Sequence, residues 1–284
     1  MAKKSKFWTI AGLVLVGVLA FGATGAFSGK SKTKSSEKSD GTGERIIEEI
    51  KLVGNTTLTI QKAKTVVGDP TADEVIVSSS TGATLKANGY QTGAICAAKD
   101  GAALIFRGVT FVDDTTDNSY LYDDYLLFAG NLQFEDCTFT SSIYYNGGGS
   151  ATFKNCTFNT VVSNYYSVWV AGGSASFEEC RFRGDRALKI NEFLDRGDDV
   201  ERVDVNACVF DRIAKKPGLA IGTFQTNAEN TEIIIRNSVF NECAAWDQVG
   251  SVYGVDGFFE MDVTPETIQF ATQNNTVNYT GVNA

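Results

Sequence analysis

The sequence predicts an all-β fold, a single-stranded right-handed parallel β-helix solenoid preceded by an N-terminal hydrophobic helix. Three observations predict it. A short strand pattern recurs along the chain, an uncharged stretch of bilayer length stands near the N-terminus, and Gly is frequent (28) while Pro is scarce (3). Many Gly and few Pro suit short strands joined by tight turns better than long helices. The 284 residues suffice for one large domain.

Residues 1–6 form a basic N-terminus with three lysines. Residues 7–27 (FWTIAGLVLVGVLAFGATGAF) then run uncharged for about the twenty residues that cross a bilayer. They read as a transmembrane anchor or signal segment, with Ala23, Gly25 and Ala26 offering the small residues a signal peptidase cuts after. Either reading places the remainder outside a membrane, as a membrane-anchored extracytoplasmic body or a secreted one. Residues 28–43 (SGKSKTKSSEKSDGTG) lack apolar periodicity and read as a flexible linker. The domain proper is expected over 44–284. Its first residues, 44–52 (ERIIEEIKL), suggest a short amphipathic helix with Ile46, Ile47 and Ile50 on one side, placed to cover the open first coil of a solenoid.

Seven segments carry the repeat: LIFRGVTF (104–111), LQFEDCTF (132–139), ATFKNCTF (151–158), ASFEECRF (175–182), VDVNACVF (203–210), IIIRNSVF (233–240) and FATQNNTV (270–277). Their closing residues are spaced by 28, 19, 24, 28, 30 and 37, so loops of unequal length separate constant elements. Within each segment the in–out alternation is that of a strand. A two-residue polar or small break follows, and the alternation then resumes. A third strand recurs upstream in AICAA (94–98), YLLFA (125–129), SVWVA (167–171), ALKIN (187–191) and GLAIG (218–222). Three strands per turn, stacked about 4.8 Å apart, give a parallel β-helix. An immunoglobulin-type sandwich would need hairpin turns at fixed places, and the Asn-Gly and Asp-Gly pairs do not recur at one place in the repeat.

With these segments the sequence resembles the pectate-lyase-like, right-handed parallel β-helix superfamily, especially its bacterial and phage surface members. The resemblance implies the fold and says little about activity. It also implies that a ligand cleft lies on the outside of the first strand of each turn, where Leu127, Trp169 and Lys189 fall on the outward stripe. A Trp beside a Lys can stack on a sugar ring while the ammonium meets hydroxyls or a carboxylate; the alternative is a Trp covered by a neighbouring loop. Tyr144, Tyr145, Tyr165 and Tyr166, with Tyr120, Tyr122 and Tyr125, fall in nearby connections and suggest either an aromatic contact surface or loop packing.

Cys137, Cys156, Cys180 and Cys208 share one inward repeat position, held elsewhere by Val109, Ser238 and Asn275. They predict a column of buried thiols, free or bridged between neighbouring turns. Cys96 and Cys243 fall outside that column.

The chain has no His, which removes the usual general base and metal ligand. Beyond Arg45 there are seventeen basic and thirty-one acidic residues, a body of about −14 that disfavours nucleic acid as a partner. Calcium is the one cofactor the sequence admits, through Asp113, Asp114 and Asp117 in DDTTDN (113–118), which lacks the Gly turn and closing Glu of an EF-hand. The resemblance to lyases and hydrolases nominates Arg186 and Lys189 as catalytic candidates. Arg186-Ala187-Leu188-Lys189 is one residue longer than the hydrolases' Arg-Ile-Lys element, and one residue reverses the side-chain face of a strand. The Asn-Thr-Asp and His-Gly elements of those hydrolases are absent. The expectation is a non-catalytic carbohydrate- or surface-binding scaffold attached to the membrane by its N-terminal segment, with a polysaccharide or cell-surface glycan as partner. A polysaccharide lyase or glycoside hydrolase and a phage structural component stand as alternatives.

Overall fold

Alternating apolar side chains oblige each strand to bury one face, and short strands broken by a bend can do so only against other turns of the same chain. The structure, a computed structural model, describes residues 30–39, 43–52, 56–59, 65–80, 82, 84–88, 94–113, 125–160, 166–184, 186–190, 199–211, 213, 221–223, 231–242, 259–261 and 268–278. The basic N-terminus and the hydrophobic segment 7–27 lie outside the described residues.

Three parallel sheets run the length of the solenoid. Sheet I stacks eight strands: Thr65–Val67, Ile95–Ala97, Tyr125–Phe128, Ser142–Tyr145, Tyr166–Val170, Arg186–Ile190, Ile221–Thr223 and Phe259–Met261. Sheet II receives the next strand of each turn, from Gly43–Leu52 and Glu74–Ser78 to Ile268–Gln273. Sheet III takes the third, from Thr56–Thr59 to Thr276–Asn278. Apart from one register shift, where Gly173 pairs with Val200 and Ser174 with Arg202, neighbouring turns stay in register, so chemically equivalent residues form columns.

Two columns fill the core. In sheet II, Val77, Phe106, Phe134, Phe153, Phe177, Val205 and Ile235 are successive partners. In sheet III, Phe111, Phe139, Phe158, Phe182, Phe210 and Phe240 are. Along the second column the rings lie near-parallel with centroids 4.6 to 4.9 Å apart. Rings of the two columns meet edge-to-face, as Phe106 and Phe111 do at 5.1 Å. Each buried ring contributes about 1.5–3 kcal/mol by transfer, with a further ~0.5–1.5 kcal/mol for each well-oriented pair.

The bend from sheet II into sheet III is made the same way in turn after turn. Gly108, Asp136, Asn155, Glu179, Ala207, Asn237 and Asn274 all adopt left-handed φ values between 50° and 63°. Their backbone N–H groups keep the interturn ladder unbroken; Asn155 N–H, for example, donates to Glu178 O at 2.9 Å. Where the bend residue is Asn, its amide can reach the neighbouring turn, as Asn155 Nδ2 donates to Asp136 Oδ1 at 2.6 Å.

The residue after each bend points inward, and there the thiol column stands as expected. Cys137, Cys156, Cys180 and Cys208 are buried and free. Each Sγ lies 3.3 to 3.5 Å from a carbonyl oxygen of the preceding turn, such as Phe134 O for Cys156. Ser238 continues the column with its hydroxyl donating to Arg236 O at 2.9 Å. Cys243 lies outside the described residues.

The N-terminal end departs from expectation. Residues 44–52 are not a helix. They belong to strand Gly43–Leu52, whose Ile50 pairs with Val77 in sheet II and is buried. Ile46, Ile47 and Ile50 fit either period, and the free edge of sheet II selects the strand. Within the expected linker, Lys30–Ser39 is also a strand, antiparallel to Gly43–Leu52 with Lys30 opposite Leu52. Its backbone covers the end of sheet II, so it needs no apolar face.

Candidate functional site

The outer faces of the sheets differ in chemistry. On sheet II, charges pair across turns: Arg107 Nε with Glu135 Oε2 at 2.7 Å, Lys154 with Glu178 at 3.8 Å, and Arg202 Nη1 with Glu232 Oε2 at 2.6 Å. Asp204 bridges Arg202 and Arg236 at 3.3 and 3.1 Å. Exposed pairs of this kind contribute ~0–1 kcal/mol each and keep the face wet. Sheet III carries Thr110, Thr138 and Thr157 in register, followed by Arg181, which with Arg183 faces Asp211 at 3.8 and 3.6 Å.

Sheet I is different. Its outward column runs Leu127, Tyr144, Trp169 and Lys189, with Gly222 and Glu260 next in backbone register. Leu127, Trp169 and Lys189 were expected there. Tyr144 was expected in a connection, but it lies on the strand Ser142–Tyr145, between Leu127 and Trp169. Strand alternation then separates the two adjacent tyrosines. Tyr144 faces out and is half-buried, while Tyr145 faces in, is fully buried, and donates its hydroxyl to Gly130 O at 3.2 Å. Tyr145 is therefore a core residue and no ligand contact.

Trp169 is also not the open platform one reading expected. It retains 3% exposure. The Lys189 ammonium lies over its ring at 3.7 Å from the centroid, and Tyr144 meets it edge-on at 4.7 Å. Lys189 itself retains 8% exposure. Burial, and then the charge of Arg186, push its amine down to about 8. The indole face opposes part of that shift, since a desolvated cation on Trp gains about 2 kcal/mol.

Arg186 begins the same strand at the corner where the chain enters sheet I. Its guanidinium lies over the ring of Tyr166, 5.4 Å from the centroid, and Tyr166 is its partner in register on the preceding turn. Tyr166 is buried, and so belongs to this corner and not to an exposed loop surface. Arg186 Nε is buried with no hydrogen-bond partner among the described residues. The corner is pinned by Ser167, whose hydroxyl donates to Arg186 O at 2.9 Å and bonds Thr160 Oγ1 at 2.7 Å.

The lengths of the connections single out the same face. From Gly108 onward sheet II passes to sheet III by the one-residue left-handed bend and its inward neighbour, while the first two turns connect through residues 53–55 and 79–83. The connections that enter sheet I range from the single residue 185 to residues 242–258, and those that leave it from 171–172 to 191–199. Asp113 closes a strand of sheet III where one such connection begins, while Asp114 and Asp117 lie outside the described residues, as do Tyr120, Tyr122 and Tyr165. Among the described residues no three metal-ligating side chains converge.

A family model described as a right handed beta helix region matches residues 125–283, more than half of the chain. The chain belongs to the right-handed β-helix family. No curated protein and no solved structure matches it. Within the matched region of this β-helix lie all four residues of the outward aromatic and cationic column, Leu127, Tyr144, Trp169 and Lys189, together with Tyr166 and Arg186.

Proposed function

We propose that this right-handed β-helix is an extracytoplasmic binding scaffold, anchored by residues 7–27 or secreted, that holds a surface glycan on the outer face of sheet I without cutting it. The observation that carries the reading is the placement of length variation. From Gly108 onward the connections differ in length only where they border sheet I, while the bend on the far side is fixed in backbone conformation. Variable loops on a rigid frame are where recognition concentrates. The half-buried Tyr144 and Leu127 supply apolar surface for a sugar face, beside the covered Trp169.

The lyase or hydrolase reading has one observation in its favour. An amine pushed to about 8 is neutral often enough near physiological pH to take a proton from a carbon acid, and that amine is Lys189.

One experiment separates the two. The protein is incubated with neutral and acidic polysaccharides, with and without calcium, and scored for retention and for new chain ends or unsaturated products. Retention without cleavage, weakened at least about tenfold by Tyr144→Ser, supports the scaffold. Cleavage of any polymer replaces it with an enzyme and directs mutagenesis to Arg186 and Lys189. Neither retention nor cleavage on correctly folded protein rejects both.

A further inference from the structure

The two ends of sheet II are finished differently. At one, the antiparallel strand Lys30–Ser39, with lysines at 30, 32, 34 and 38, closes the edge against a further strand. At the other, Ile268–Gln273 pairs with Thr231–Arg236 on one side and has no second strand among the described residues; Thr276–Asn278 stands likewise at the end of sheet III. The core is open here. Asn275 follows Ser238 on the inward column, yet it is only half-buried where Ser238 and the four thiols are buried. The asparagine ladders stop at the same rung. Asn274 Nδ2 donates to Asn237 Oδ1 at 3.5 Å and Asn278 Nδ2 to Asn241 Oδ1 at 2.8 Å, while nothing among the described residues donates to Asn274 Oδ1 or Asn278 Oδ1. Charge disappears there as well. The outward column that sets Arg107 against Glu135 and Lys154 against Glu178 runs on to Arg236 and then to the exposed Gln273. Residues 268–278 include no charged residue, so this edge lacks the lysines that guard the other.

We propose that this edge is the contact surface of a two-fold dimer, in which Ile268–Gln273 pairs antiparallel with the same strand of a second copy and two solenoids join end to end. An edge strand has backbone donors and acceptors to offer, and an added strand satisfies them. A two-fold sets the same stretch of chain against itself. Amides and hydroxyls suit that arrangement because each carries a donor and an acceptor, whereas a lysine or glutamate would meet its own charge. The edge therefore fits a second copy better than a basic or acidic peptide, which an uncharged strand does nothing to select. The bodies are acidic, and end-on contact through an uncharged rung keeps their charged walls apart. With lysines closing the opposite end, assembly stops at the dimer. The dimer does not require a glycan on sheet I.

The test is sedimentation velocity of the full-length protein in non-ionic detergent over a concentration series, with Ala271→Lys and Ala271→Glu beside the wild type. Ala271 is exposed and adjoins the middle of its strand, where a two-fold brings it close to its own copy. The expected result is a monomer–dimer equilibrium for the wild type, weakened at least about tenfold by either charge alone and regained when the two variants are mixed. Hydrogen exchange of the unaltered protein needs no substitution. There the amides of 268–273 are expected to slow as concentration rises, and those of Glu74–Ser78 to stay unchanged. A wild-type monomer at every concentration overturns the proposal, as does a dimer indifferent to both substitutions. Weakening by Lys with strengthening by Glu also overturns it, since that response belongs to head-to-tail contact with the lysine-bearing strand. No polysaccharide enters these assays, so failure here and failure of glycan retention are separate results.

Discussion

At Lys189, burial and a neighbouring guanidinium work against the charge, while the indole beneath it works for it. The folded-state pKa lies below the unfolded value of 10.5, so between about 8 and 10.5 the unfolded chain binds more protons and stability rises with pH. Lys189→Met keeps an unbranched stem over Trp169 without the charge. It is expected to raise unfolding free energy by on the order of 1 kcal/mol at pH 7, with the gain fading as pH passes from 8 to 10.5. Urea titrations of both proteins across that range check it, and a pH-independent difference would show that the charge is not the cause. Ala207 gives a second case. It holds φ = 54° in a bend where other turns use Gly, Asn, Asp or Glu, so Ala207→Gly is expected to stabilise by about 1 kcal/mol in the same titration. Residue-scale detail was only partly legible in the sequence. The outward stripe could be counted from the strand alternation, but the cover over Trp169 could not, because it depends on which side chain the next turn sets above the ring. Tyr144 and Tyr145 were inseparable until the strand that holds them was known, and the 19-residue spacing from Phe139 to Phe158, too short for a long loop, was the signal that a strand lay between.

Among the elements, the paired phenylalanine columns set the stability of the middle turns. Phe158 stacks on Phe139 at 4.9 Å and Phe182 at 4.6 Å and meets Phe153 edge-on at 5.7 Å. Phe158→Ala is expected to cost about 3–5 kcal/mol and Phe158→Leu about a third of that, read from urea midpoints. Cys156 and Cys208, in the thiol column beside it, should be chemically silent. Adjacent thiols and burial push Cys156 up, and Cys180 and burial do the same to Cys208. Iodoacetamide at pH 8 is accordingly expected to leave both unmodified in folded protein and to alkylate them in urea. Modification at equal rates in both states would place these cysteines outside the core. The strands of sheets II and III were legible because each buries one face and so writes its period into the sequence. The strand Lys30–Ser39 was not, since it contributes backbone hydrogen bonds to a sheet edge and buries no apolar stripe.

For the whole molecule, a solenoid is a stack in which each turn contacts its neighbours, so its ends are its weak points. At the N-terminal end, Lys30, Lys32, Lys34 and Lys38 lie on the strand that closes sheet II. Lysines on an edge strand discourage a second chain from adding itself there. Removal of residues 1–42 leaves Gly43–Leu52 as the edge, and concentration-dependent association is the expected outcome by analytical ultracentrifugation, compared with a chain that begins at Ser28. A strictly monomeric truncation would mean that this strand does not protect the edge.

Constant register also makes the molecule editable in whole turns. Phe153 and Phe177 are partners, as are Lys154 and Glu178, so cutting the chain at one and rejoining it at the other removes a complete circuit and returns every remaining side chain to its former side of the wall. Duplication of the same circuit is equally silent. A cut displaced by one residue would turn the rejoined strand inside out. Such a protein can change length by gene-level copying and excision without relearning how to fold, provided that the ends of each copy fall on equivalent rungs.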